Sequence, residues 1–259
     1  MTLIVASSEF STKIGARTEN GAEAAGVAGA ADEAAAAGAA AEGAVEADEA
    51  VAGAADGLAG GGSDITLVKR VPAGKTPSHL AIDTRSTVVY ASLQDSDQLI
   101  AVDLATQTPR WTVPSGKMPA DVYLTPDDRT LLVGLTGDSV VEAYDVSVSP
   151  PKLIRRIPTG DGAHAFRAWG DRRHVLVSNR VANTISRIDL QTLAVVDTYP
   201  APSGPDCMDL SPDRRFIFVA SRWAGKLTVI DTEQKKVVRQ VSVGKSPHGV
   251  WTLDHAPRL

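Results

Sequence analysis

The chain has 259 residues, a formal net charge of −5, 43% hydrophobic residues and one cysteine. A single cysteine excludes an intrachain disulfide. The sequence contains no run of eighteen apolar residues, so it predicts no transmembrane helix. The charge is uneven: residues 1–62 contain ten acidic and two basic side chains and carry −8, which leaves about +3 on residues 63–259. The acidity of the whole chain therefore says nothing about partners of residues 63–259.

Residues 1–62 consist mainly of Ala, Gly, Glu and Asp, and Phe10 is their one aromatic residue. Such a segment buries too little apolar surface to offset the entropy of ordering. We predict that it is a disordered tail or an artefact of the assigned start codon or reading frame; the alternative is an acidic interaction tail. Its first eight residues have no basic region before the apolar run, so the sequence predicts no secretory signal peptide.

A repeat of about 42 residues follows. Its opening glycines are Gly74, Gly116, Gly160, Gly204 and Gly244, with steps of 42, 44, 44 and 40 residues. The aspartates that end the third apolar run of each unit are Asp103, Asp145, Asp189 and Asp231, with steps of 42, 44 and 42. Each unit holds four short β-branched runs bounded by turn residues. This period and strand number are typical of a β-propeller, so we predict an all-β propeller of four-stranded blades.

The propeller domain is predicted to cover residues 63–259. Four complete units are expected, at 74–115, 116–159, 160–203 and 204–243. Asp64–Ala73 has the pattern of a last blade strand, and Gly244–Leu253 has the pattern of a first strand. Because the two middle strands of that split blade are missing from the repeat pattern, we predict an N-terminally truncated propeller.

Two pairs of strands carry a family resemblance. Val89–Ser92 followed by Leu99–Asp103, and Phe218–Ser221 followed by Thr228–Asp231, resemble the YVTN-type β-propeller repeat. The final Gly244–Val250 resembles the opening of that repeat. The family includes YncE-like, cytochrome d1-like and lactonase-like propellers, as well as subunits of amine dehydrogenases. The resemblance implies a ring that is usually seven-bladed and a location in the bacterial periplasm or at the cell surface.

Chemically active side chains recur at two adjacent repeat positions in the opening turn. The residue after the repeat proline, which Ala163 replaces in one unit, is Ser78, Ala120, His164, Asp206 or His248, and the next is His79, Asp121, Ala165, Cys207 or Gly249. In a propeller this turn leads to the innermost strand at one mouth of the central channel. We therefore expect these histidines, aspartates and the cysteine to converge around one axis.

A second set of side chains is expected at the same mouth. The turn after the second strand contributes Gln94, Leu135, Arg180 and Arg222, and Trp223 follows directly. Arginines beside an aromatic ring suit an anionic or planar ligand. The predicted ligand-binding residues are His79, Asp121, His164, Arg180, Asp206, Arg222, Trp223 and His248.

Two other interpretations of these residues stay open. Histidine and aspartate at turns often satisfy backbone groups. The ligand types of His164, Asp206, Cys207 and His248 also suit a metal ion, but the sequence fixes no distance among them, so metal and cofactor stay unassigned. Motifs of serine hydrolases, P-loop and dinucleotide-binding proteins, zinc proteases and covalent haem proteins are absent, and no catalytic residue is assigned.

Three functions are compatible with this pattern. The first is a non-enzymatic binding or scaffold protein of the cell envelope, with an unknown small molecule or protein ligand at the channel mouth. The second is a lactonase-type hydrolase that uses His and Asp at the mouth, with or without a metal. The third, which we place last, is single-stranded nucleic-acid binding through Arg180, Arg222 and Trp223.

Overall fold

The computed structural model describes residues 2–8, 11–17, 23–24 and 66–252, and side-chain surroundings from Lys69 onward. Its strands form five antiparallel four-stranded sheets. The first sheet contains β1 Thr2–Ser8, β2 Ser11–Arg17, β3 Glu23–Ala24 and β4 Thr66–Pro72. The second contains β5 Pro77–Ile82, β6 Val88–Leu93, β7 Gln98–Asp103 and β8 Thr108–Pro114. The third contains β9 Pro119–Leu124, β10 Thr130–Leu135, β11 Val140–Asp145 and β12 Lys152–Pro158. The fourth contains β13 Ala163–Ala168, β14 His174–Asn179, β15 Thr184–Asp189 and β16 Ala194–Pro200. The fifth contains β17 Pro205–Leu210, β18 Phe216–Ser221, β19 Lys226–Asp231 and β20 Lys236–Ser242.

The four complete repeat units form four sheets with strands in sequence order, which confirms the predicted all-β propeller. Each hydrophobic cluster lies between two successive sheets: Tyr90 packs with Val133, Leu132 with Val177, and Leu176 with Val219. Neighbouring residues such as Leu132 and Val133 face opposite clusters because side chains alternate along a strand. This explains why the second strands are almost wholly apolar: both of their faces are buried.

The first strands of successive sheets lie together at the inside of the arrangement. β5 contacts β9, β9 contacts β13, and β13 contacts β17. The last strands, by contrast, are mostly exposed, as in β12 and β20. This order places the opening turns of adjacent repeats next to one another, as the sequence predicts.

The aspartates that mark the repeat each close a turn after the third strand. Asp189 Oδ1 accepts hydrogen bonds from the backbone N–H groups of Gln191 at 2.8 Å and Thr192 at 3.0 Å. Asp231 Oδ1 accepts the equivalent bonds from Glu233 and Gln234. The repeated Asp is therefore a structural residue that satisfies turn donors.

Asp189 provides a test of that role. Burial alone would raise its pKa, but the N–H of Thr192 and the guanidinium of Arg173 outweigh burial and lower the pKa to about 2. A lowered folded-state pKa gives stability that is present above about pH 4 and is lost as the pH falls towards 2. We expect Asp189→Asn to lower the free energy of unfolding at pH 7 by roughly 2 kcal/mol. Urea unfolding at both pH values checks this: the deficit should disappear near pH 2, and an equal deficit at both pH values would contradict it.

The N-terminal segment differs in part from the prediction of a disordered tail. Strand β1 pairs antiparallel with both β2 and β4, and β3 pairs with β2, which completes a fifth sheet. Val71 of β4 is fully buried and joins the cluster that contains Val89 of the next sheet. Strands β1 to β3 thus pair with β4 in the split blade, while the predicted N-terminal truncation of the propeller stays a prediction.

The average composition of residues 1–62 gives no sign of these strands. The apolar run Leu3–Val5 and the isolated Ile14 lie within strands that the Ala/Gly-rich stretch outweighed in the average. The rest of 1–62 lies outside the described residues, and the domain boundary near residue 62 stays a prediction.

The C-terminal segment also differs from the structure that the sequence predicts. Gly244–Leu253 was expected to form a first strand, but residues 244–252 are irregular, and Leu253 lies outside the described part. The first sheet, which this segment was expected to complete, is instead built from β1, β2, β3 and β4. Among the described residues, no helix has the length and hydropathy that a membrane span requires.

Candidate functional site at the opening turns

Asp206 is the centre of the candidate site. It is the second residue of β17 and is fully buried. Its Oδ1 lies 3.2 Å from His164 Nε2. Its Oδ2 accepts hydrogen bonds from Arg180 Nη2 at 2.9 Å and Arg222 Nη1 at 3.2 Å. A buried carboxylate needs such compensation, and here two guanidinium groups provide it.

The C-terminal segment adds His248 to the same carboxylate. His248 Nε2 lies 3.6 Å from Asp206 Oδ1. The other ring nitrogen, Nδ1, lies 3.8 Å from Cys207 Sγ, and this thiol is also 3.8 Å from Asp206 Oδ1. Although the segment is not a strand, it therefore brings His248 to the position that the repeat predicts.

A second acid–imidazole pair lies beside this centre. His79 Nδ1 is 3.0 Å from Asp121 Oδ1. Asp121 is held in turn by the backbone N–H of Phe166, which donates to Oδ2 at 2.7 Å. The rings of His79 and His164 have centroids 5.7 Å apart. The side chains of His79, Asp121 and His164, from three successive repeat units, thus connect with the Asp206 centre.

Seven of the eight predicted residues form one connected cluster, which we call the mouth cluster: His79, Asp121, His164, Arg180, Asp206, Arg222 and His248. The structure thus brings these residues together, while ligand binding by them stays a prediction.

Trp223 is placed differently from the other seven. Its ring covers Gly204, where a Cβ atom would lie 2.4 Å from the indole and where φ is +63°, so the opening turn requires glycine. The side chain is 56% exposed and lines an open depression of about 420 Å³. Arg222 and Lys245 line the same depression. Arg222 therefore connects this depression with the mouth cluster.

The protonation states in the mouth cluster follow from burial and from neighbouring charges. Burial would raise the pKa of Asp206, but its contact with His164 and the charge of Arg180 outweigh burial and hold that pKa well below its usual range. Burial, with the Arg180 charge, lowers the pKa of His164 to about 4, although Asp206 opposes this. Burial also lowers the pKa of His248. At neutral pH the centre therefore holds an anionic Asp206 and two neutral imidazoles.

His79 and Cys207 differ from these groups. Burial opposes protonation of His79, but the Asp121 carboxylate outweighs burial and raises the pKa of the imidazole. Burial, together with Asp206 and Asp121, raises the pKa of the Cys207 thiol far above its ordinary value. A thiol in this state is a poor nucleophile, so the structure gives Cys207 no nucleophilic role.

The sequence interpretation missed a buried ion pair below the mouth cluster. Arg167 Nε donates to Asp209 Oδ1 at 2.8 Å, and the two side chains are 8% and 0% exposed. Asp209 Oδ2 accepts hydrogen bonds from Thr252 N at 2.8 Å and Thr252 Oγ1 at 3.0 Å. The available signal was a charged residue at the same repeat position in two successive first strands, 42 residues apart, where the other units have Ala81 and Tyr123.

The five packed sheets and their adjoining first strands define this protein as a β-propeller. The chain belongs to the YNCE-like beta-propeller family, whose model matches residues 45–258. This confirms the resemblance to YncE-like, YVTN-type propellers, and the match begins within residues 1–62.

Two curated relatives are similar over part of their length. Antigen Lp49 of Leptospira interrogans is 25% identical over 204 residues, which cover 71% of this chain and 44% of the relative. The uncharacterized protein YncE of Salmonella typhi is 23% identical over 169 residues, which cover 64% of this chain and 47% of the relative. The chain thus spans about half the length of the curated relatives it matches.

A solved structure shows the same fold. Hydrazine synthase of Kuenenia stuttgartiensis superimposes with a TM-score of 0.57 and 22% identity, over 67% of this chain and 52% of that chain. At this identity the likeness concerns the fold alone.

Proposed function

We propose that this chain is a non-enzymatic, ligand-binding propeller of the bacterial cell envelope whose ligand is a small anion bound beside Arg222. The observation that carries the proposal is the convergence of four side chains, His164, Arg180, Arg222 and His248, on the buried carboxylate of Asp206, with the His79–Asp121 pair beside them. Loops on a rigid scaffold are where binding residues concentrate. The envelope location rests on the family resemblance.

The charge balance of the site favours an anion. Arg180 and Arg222 both face Asp206, so two positive charges meet one negative charge. The remaining acid of the cluster, Asp121, is paired with His79, whose pKa is raised. The Asp206 centre therefore has one positive charge in excess, and charge-assisted hydrogen bonds from guanidinium groups are strong anion contacts.

The depression next to the cluster favours a planar anion. It combines the cationic groups of Arg222 and Lys245 with the half-exposed face of Trp223. A flat carboxylate can stack on an indole while its oxygens face cations. An aromatic carboxylate therefore fits this surface better than a compact anion does.

Calorimetric titration with benzoate and with inorganic phosphate tests the proposal. We expect benzoate to bind, and Lys245→Ala and Arg222→Ala each to weaken binding by about tenfold or more, since a hydrogen bond to a charged group contributes about 1.5–3 kcal/mol. No described contact joins Lys245 to Asp206. Lys245→Ala should therefore change ligand binding without removing a contact of the buried carboxylate. Arg239→Ala, on the exposed strand β20, is the matched control. Failure of both anions to bind the wild-type chain would contradict the proposal, as would benzoate binding with wild-type affinity by both Lys245→Ala and Arg222→Ala.

A lactonase-type hydrolase is the second candidate, and the His79–Asp121 pair favours it. Because Asp121 engages Nδ1 at 3.0 Å, Nε2 is the ring nitrogen left to act as a general base. A panel of lactones, assayed with wild type and His79→Gln, separates the two functions. Turnover that His79→Gln abolishes would favour the hydrolase, and absence of turnover with and without added Zn²⁺ would end it.

A further inference from the structure

We infer that His164, Asp206 and His248 form a binding site for one divalent transition-metal ion of the zinc type. Their ligand atoms are His164 Nε2, Asp206 Oδ1 and His248 Nε2, and all three lie within 4.8 Å of one another. The residues come from three successive repeat units, so the fold and not local sequence assembles them. Among the described residues, no other group of three or more His, Cys, Asp or Glu side chains has its ligand atoms this close together.

The distances fit a tetrahedral ion. Asp206 Oδ1 lies 3.2 Å from the nitrogen of His164 and 3.6 Å from that of His248. Zinc bonds to nitrogen and carboxylate oxygen are roughly 2.0–2.2 Å long, which places neighbouring tetrahedral ligands about 3.3–3.5 Å apart. The two distances from Asp206 are therefore close to those of a zinc site, and the two imidazole nitrogens lie within 4.8 Å of each other.

The donor set suits zinc and its neighbours in the first transition row. Two imidazoles and one carboxylate are typical ligands of zinc sites that keep an open position. Cys207 is not among the three ligands, and its thiol contacts His248 Nδ1 instead.

Each ligand residue has its second polar atom engaged. Asp206 Oδ2 is held by Arg180 and Arg222. His164 Nδ1 lies 3.5 Å from Thr136 Oγ1, and His248 Nδ1 lies 3.8 Å from Cys207 Sγ. Such outer contacts fix the orientation and tautomer of metal ligands.

One contact must change when the metal binds. Arg180 Nη2 also lies against His164 Nε2, so it occupies the lone pair that the ion needs. Arg180 can release this nitrogen and keep its bond to Asp206 Oδ2, since the two contacts use different acceptors. Breaking the contact with His164 costs free energy, and the two guanidinium charges repel a cation. We therefore expect a Zn²⁺ affinity in the micromolar range, weaker than that of a closed structural zinc site.

The inference stands independently of the proposed function. Metal binding is measured without an anionic ligand, while anion binding depends on Arg222 and Lys245 in the depression. A chain that binds zinc and no benzoate would contradict the proposed function alone. A chain that binds benzoate and no zinc would contradict this inference alone.

The test uses the full chain without a histidine tag, stripped with a chelator and dialysed. Titration with Zn²⁺ in competition with a chromophoric chelator should give one ion per chain with micromolar affinity, and Co²⁺ should give the intense visible absorption of a tetrahedral site. His248→Ala removes a ligand in an irregular segment without disturbing a strand, and should weaken Zn²⁺ binding at least tenfold. His174→Ala, which changes a histidine outside the group, is the control and should bind as wild type does.

Two results would overturn the inference. One is the absence of stoichiometric Zn²⁺ binding by the wild-type chain. The other is an unchanged affinity in His248→Ala when circular dichroism shows that the variant is folded.

Discussion

Replacing Asp209 with alanine is expected to lower the free energy of unfolding by about 3–5 kcal/mol, because the change leaves Arg167 as an unpaired buried charge. Arg167 is 8% exposed, and its Nε lies 2.8 Å from Asp209 Oδ1. The variant also loses the acceptor for Thr252, which fastens the C-terminal segment to β17. At roughly 2–4 °C per kcal/mol for a domain of this size, the thermal midpoint should fall by at least about 6 °C.

The double variant Arg167→Met/Asp209→Leu is the control for this interpretation. A buried ion pair that is replaced as a whole by apolar side chains is often neutral or stabilising. The double variant should therefore recover most of the loss seen in Asp209→Ala. Calorimetric unfolding midpoints of wild type and both variants measure the contribution of the pair to stability. An Asp209→Ala midpoint within about 2 °C of wild type would show that the pair contributes little.

Replacing Asp206 with alanine should have two effects at once. Arg180 and Arg222 lose their shared carboxylate and are left facing each other at side-chain exposures of 17% and 16%. The free energy of unfolding should fall by roughly 2–4 kcal/mol, less than for a fully buried pair because water partly screens the two guanidinium groups. The same variant should lose Zn²⁺ binding, since Oδ1 bridges the two imidazoles.

Asp206→Asn separates these two effects. The amide keeps an oxygen of similar size but carries no charge, so it should restore part of the packing and little of the metal affinity. Urea unfolding and Zn²⁺ titration of both variants are the measurements. Full Zn²⁺ affinity in folded Asp206→Ala would contradict the role assigned to this carboxylate.

The sequence predicted the blades and most of the mouth cluster because both depend on repeat position. In a propeller the same position in each unit occupies the same place around the ring, so His164 and Asp206 could be expected to meet without any knowledge of distances. The aspartate that ends each third strand was equally informative, since the N–H groups of its turn need the same acceptor each time.

Features that depend on side-chain direction or on one particular pair were not predictable in this way. Trp223 follows Arg222 in sequence, but its ring turns to cover Gly204 and leaves the mouth cluster. The Arg167–Asp209 pair occupies a position that holds Ala81 and Tyr123 in the other units, so the repeat gave no consensus for it. The average composition of residues 1–62 gave no sign of β1, β2 and β3.

A double-mutant cycle between Arg180 and Asp206 tests most directly whether the opening turns of adjacent repeats share one site. These residues are 26 positions apart, lie in successive repeat units and contact each other at 2.9 Å. Unfolding free energies of wild type, Arg180→Ala, Asp206→Ala and the double variant, measured in chelator, should give an interaction energy above about 1 kcal/mol. Effects that add within about 0.5 kcal/mol would show that the two side chains do not meet, and would contradict the convergence on which the candidate site depends.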